Sequence, residues 1–189
     1  MNIPLGLVLG LTLIATDERP KLTVAFCNQA EVDTQIWVKA KAQTIRIFSQ
    51  AGVDLSWVDV DPGNRTCILT GIRRQFLVVL SAEAPSDWTK PDAMGIAPAR
   101  TGRAYVFYNL VQRFMGSFRQ AQDERSEAGM VLAYAFAHEI GHLLIPGDAH
   151  GRGVMRPSWS YQEWIQMLAG TLWFNAPHAK VIRARLRPK

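Results

Sequence analysis

A chain of 189 residues, 48% hydrophobic and 20% charged, is long enough for one domain with a real core and has the make-up of an ordinary globular protein. It holds no internal repeat or low-complexity tract, which excludes a repeat or fibrous architecture. Much of the +5 net charge lies near the end, at Lys180, Arg183, Arg185, Arg187 and Lys189, without an aromatic platform or base-reading motif, so nucleic-acid binding is not expected.

The first fifteen residues carry no charged side chain, and Ile3 to Ala15 is largely apolar. This run is shorter than the roughly 20 residues of a spanning helix, so no stable membrane span is expected. It suits the apolar part of a secretory signal with a break near Ala15-Thr16, although no Lys or Arg precedes it. Residues 1–16 are therefore read as a signal peptide and the protein as exported, periplasmic or extracellular. Cys27 and Cys67 are the only cysteines. They would pair in an exported protein and stay reduced in a cytoplasmic one, and the sequence leaves both open.

Leu22, Val24 and Phe26 alternate with Thr23 and Ala25 as a first strand. From Glu31 to Gln50 the apolar positions recur at three- and four-residue spacing, which predicts a helix stopped near Gly52. Leu55 to Val60 reads as a second strand, and Asp61-Pro62-Gly63-Asn64 as a turn. Gln75 to Leu80 is nearly all apolar, as in an internal strand. Ala82 to Gly102, broken by prolines and glycines, reads as a long loop. Ala104 to Tyr108 is a fourth strand, and a short helix follows around Leu110, Val111, Phe114 and Phe118. A helix over about Glu127 to Leu144 is apolar almost all round, which predicts a central, buried position. Pro146-Gly147 ends it, and Ser160-Tyr161-Gln162-Glu163 is a capping box for the last helix. The class is α+β: a twisted mixed sheet of about four strands, a backing helix, a central helix and a small C-terminal helical part.

The central helix carries His138-Glu139-Ile140-Gly141-His142. Histidines four apart project from one helix face and can grip one zinc ion, while Glu139 sits one step round to reach water beside it. A catalytic zinc takes a third protein ligand and keeps a fourth position open. His150 is the first choice, a common zinc ligand just past the Pro146-Gly147 turn. Asp148 is next, with an alternative duty as a turn residue or as an acceptor that orients a histidine. Glu163 ranks third, because the capping box already employs it.

The run from Ala137 to Leu144, followed by Gly147, His150 and Gly153-Val154-Met155, resembles the metzincin clan of zinc endopeptidases, and especially exported bacterial members with an extended spacing to the third histidine. The usual pattern places glycine and the third ligand at the positions of Ile145 and Asp148; here Gly147 and His150 each come two residues later. The resemblance implies one Zn2+ per chain held by His138, His142 and His150, Glu139 as general base, and Met155 in a tight turn beneath the metal. It implies a protease domain over 21–175 ahead of a basic tail at 176–189, acting as a monomer on a peptide or protein substrate. The strand from Ala104 to Tyr108 would be the sheet edge that pairs with an extended peptide, as the clan's cleft strand does. Tyr161 or Tyr108 would steady the oxyanion. The alternatives are a non-catalytic zinc-binding domain closed by Asp148 together with His150, a two-helix zinc peptidase using Glu163, and a nucleic-acid or membrane binder working through the basic tail.

Overall fold

A computed structural model describes residues 18–60, 67, 76–90, 93–118, 124–147 and 149–187. The leader, the Asp61–Asn64 turn and Asp148 lie outside the described residues. The elements are β1 (Lys21–Asn28), α1 (Thr34–Gln50), β2 (Asp54–Asp59), β3 (Phe76–Ser81), β4 (Gly95–Ile96), β5 (Arg103–Phe107), α2 (Tyr108–Phe118), α3 (Glu124–Leu144), α4 (Tyr161–Leu168) and α5 (Ala176–Leu186). The class is α+β.

The sheet runs in the order β2-β1-β3-β5-β4. Its first four strands are parallel and β4 alone is antiparallel, against β5. Parallel strands are covered on both faces, which accounts for the unbroken apolar runs of β1 and β3. On one face Val24, Phe26, Val78 and Leu80 join the main core with residues of α1 and α3. The Phe26 ring meets Trp37, Trp57 and Phe136 at centroid distances of 5.5–5.9 Å. On the other face Ala25, Cys27, Leu77 and Val79 form a smaller cluster closed by Cys67, which is disulfide-bonded to Cys27.

Every residue of α3 from Met130 to Ala137 is buried, as its lack of a polar face predicts. Its backbone approaches α1 closely at Gly129, where an added Cβ would lie 3.0 Å from the Ile36 carbonyl oxygen. The Thr44 hydroxyl of α1 donates to the Ala133 carbonyl at 3.2 Å, and the Gln43 amide donates to the Tyr134 hydroxyl at 3.2 Å. These buried polar contacts fix how far α3 is rotated and slid along α1, and so where its histidines face.

Three sequence expectations need correction. Among the described residues the sheet has five strands, because Gly95–Ile96 lies within the stretch read as loop. The strand from Ala104 is not the edge: β5 is enclosed between β3 and β4, and β4 forms the border. Tyr108 begins α2 and does not end a strand. The stretch set apart as a basic tail is helical over α5, capped by the Asn175 side chain, which accepts from the His178 N–H at 2.8 Å. Ala179 and Ile182 of α5 are buried, and the Arg183 guanidinium donates to the Ala51 carbonyl at the end of α1, 2.6 Å away. No helix among the described residues is long and apolar enough to cross a membrane.

Candidate metal centre

The second half of α3 presents His138 and His142 one turn apart, both half-buried. The helix ends at Leu144, and Gly147, at φ +75, supplies the left-handed step that reverses the chain. Ala149 is buried on the core and anchors the returning loop, which leaves His150 exposed beside the helix histidines. One ligand nitrogen from each of His138, His142 and His150 lies within 4.8 Å of the others. These three histidines are therefore close enough to bind one metal ion.

The loop that follows supports this cluster from below. The Gly151 N–H donates to the Met155 carbonyl at 2.8 Å, and the Val154 N–H to the Trp173 carbonyl at 3.1 Å. Gly153 has φ +72 and bridges to Phe174, and the Trp173 carbonyl lies so close to it that no Cβ could be accommodated. Met155 is fully buried, with its sulfur packed on Gly141 between the two helix histidines. The Val154 carbonyl lies 2.8 Å from Nδ1 of His138. Only a protonated Nδ1 can satisfy that carbonyl, so Nε2 of His138 keeps its lone pair.

Nε2 of His142 is 3.0 Å from Nε2 of His138. Two nitrogens bound to a tetrahedral zinc at ~2.05 Å would stand about 3.3 Å apart. The pair is thus within a few tenths of an ångström of ligand spacing, and the donor set suits zinc chemistry. Burial, opposed in part by the Val154 carbonyl and reinforced by His142 and His150, pushes the His138 pKa down to about 4. The ring is neutral at ordinary pH, which is the form that ligates.

Glu139 is only 6% exposed, and burial raises its pKa to about 8 against a weaker opposing pull from Lys90. That value belongs to the metal-free protein; a dication nearby would favour the charged carboxylate. Its side chain lies directly behind β4, since a Cβ at Gly95 would come 2.8 Å from Cγ of Glu139. A cleft of about 430 Å3 spans the three histidines and Glu139, bordered by Lys90, Gly95, Ile96 and Ser158. A second cavity, about 180 Å3, adjoins His138 and Glu139 on the side of α2 and Trp159. The Trp159 ring stands edge-on to His138, with centroids 5.5 Å apart.

Glu163 is engaged elsewhere. One carboxylate oxygen accepts from the Ser160 N–H at 2.8 Å and its hydroxyl at 2.6 Å, and the other accepts from Arg156 at 3.1 Å. Burial alone would raise its pKa, but the Ser160 donors and Arg156 outweigh this and hold it below the usual value. Tyr161 is 57% exposed and packs on Phe118. Neither Tyr161 nor Tyr108 is among the described residues lining the cleft or the cavity. Lys90, Arg113 and Trp159 do line these spaces, and sequence reasoning passed over all three: Lys90 and Trp159 stand in stretches without motif, and Arg113 is a single exposed charge on a helix read only for its apolar positions.

No protein-family model, curated protein or solved structure matches the chain.

Proposed function

We propose that the protein is a zinc-dependent endopeptidase of metzincin-like design. The observation that carries this reading is the convergence of three histidine nitrogens within 4.8 Å beside a buried glutamate that lines the same open cleft. His138, His142 and His150 would hold one zinc ion per chain, a three-histidine set that leaves a coordination position free. When bound, zinc supplies Lewis-acid polarisation of the scissile carbonyl and of water.

Glu139 accepts the proton of the attacking water and passes it to the leaving amine. Its burial suits this role, because a desolvated carboxylate is a stronger base than an exposed one. The border strand β4 offers backbone groups to an extended peptide, which would run past Glu139 and gain affinity through main-chain hydrogen bonds. Glu163 is committed to Ser160 and Arg156, which argues against a two-helix ligand set. The Cys27–Cys67 disulfide favours an oxidising, exported setting.

Glu139→Gln tests the mechanism. The variant should retain zinc and lose casein hydrolysis, and cleavage at the parental rate would remove Glu139 from the role of base.

A further inference from the structure

The cavity beside Glu139 is a chamber distinct from the histidine cleft, although both touch His138, Glu139 and Ser158. Its volume of about 180 Å3 slightly exceeds the ~150 Å3 that holds one benzene ring. It therefore has room for one side chain and not for a chain segment. Leu110, Phe114 and Trp159 supply apolar wall, and Arg113 and Arg156 bring two guanidinium groups against a single carboxylate, Glu139, among the described lining residues. Arg156 is already occupied, donating to Glu163 and to the Ser158 carbonyl, each at 3.1 Å. The exposed Arg113 guanidinium has no ion pair or hydrogen bond among the described residues. The chamber thus combines an apolar wall with one cation, Arg113, that lacks an anionic partner among the described residues.

We infer that this cavity receives a carboxylate-bearing side chain flanking the scissile bond, so that the substrates are acidic peptides. The methylenes of a glutamate would lie along Phe114 and Trp159 while its carboxylate meets Arg113, a planar donor that matches carboxylate geometry. Lys90, bordering the histidine cleft, adds a further cation that steers an acidic chain toward the site. The inference rests on the peptidase reading for which bond is cut, but not for what the cavity binds.

Short peptides acetylated and amidated at their ends, differing only in one central Glu, Gln, Phe or Lys, would be titrated into zinc-loaded Glu139→Gln protein, with tryptophan fluorescence as the readout. The Gln peptide with a free C-terminal carboxylate separates a chain end from a side chain as the source of the anion. The Glu peptide should bind about tenfold or more tightly than the Gln peptide, the scale of a charge-assisted hydrogen bond. Adding Arg113→Gln, an exposed substitution, should erase the difference. Equal binding of the Gln or Phe peptide, no measurable binding of the Glu peptide, or a Glu preference that survives Arg113→Gln would overturn the inference. Recovery of affinity by the free C-terminus alone would overturn the side-chain assignment. Cleavage by the parent is scored separately: preference without cleavage removes the peptidase reading and leaves the cavity's selectivity standing, whereas cleavage without preference does the reverse.

Discussion

Replacing Gly95 by alanine puts the relation between β4 and Glu139 under direct test. The new Cβ would fall 2.5 Å from the Tyr105 carbonyl oxygen, 2.8 Å from Cγ of Glu139 and 2.9 Å from its Cδ. The carbonyl cannot retreat cheaply, because Tyr105 is paired with β3 on one side and β4 on the other. Either the border strand moves outward or the Glu139 side chain is driven from its position. Overpacking of this kind costs about 1–3 kcal/mol. Alanine also narrows the unfolded ensemble, which returns about 0.4–1 kcal/mol to the folded state. The net expectation is a loss of about 1–2 kcal/mol, and at roughly 2–4 °C per kcal/mol for a chain of this size the melting temperature should fall by about 2–8 °C. None of the three histidines lies in the clash, so zinc content should hold while peptide hydrolysis drops with the displaced base and border strand. Thermal unfolding by circular dichroism, elemental analysis and a casein assay read the three quantities. A Gly95→Ala protein as stable and as active as its parent would refute the packing argument.

His150→Ala removes one of three convergent nitrogens, so dialysed protein should fall from near one zinc per chain to a small fraction of that by elemental analysis. Full retention would show that the third ligand lies elsewhere. Glu163→Gln should cost about 1 kcal/mol at neutral pH in urea unfolding through the weakened cap and the lost ion pair with Arg156. Because the folded pKa of Glu163 is depressed, its contribution is present above the ordinary value near 4.5 and is lost as pH falls through the folded value. The gap between parent and variant should accordingly shrink in acid, and a gap independent of pH would contradict the assignment. Opening the Cys27–Cys67 link, with a sequence separation of 40 residues, should lower stability by about 3–4 kcal/mol on the loop-entropy scale. Unfolding with and without reductant checks this.

The elements legible in the sequence are those whose signal is repeated along the chain. The helix now defined as α3 declares itself through some twenty residues of apolar pattern, β1 through alternation at Leu22, Val24 and Phe26, and β3 through a run that suits a strand covered on both faces. The other features rest on few residues. The two residues of β4 are too short to show a period, and prolines and glycines around them point to loop. The helix α5 buries only Ala179 and Ile182 between basic residues, so its composition resembled a tail.

The clustered histidines were legible in part. Two histidines four apart on a helix must share a face whatever surrounds them, so His138 and His142 could be paired from local geometry, whereas His150 was only ranked ahead of Asp148 and Glu163 until the folded loop brought it beside them. What lies opposite them had to come from packing between distant segments. β4 is brought behind Glu139 by pairing with β5, Trp159 is brought against His138 by the returning loop, and Arg113 and Lys90 line the two spaces that share Glu139. Whether Cys27 and Cys67 pair was decided in the same way, by the covering of the second face of the sheet. Spacing along one helix is set by covalent geometry and hydrogen bonds within the turn, whereas contacts across the fold depend on how every layer of the core packs together.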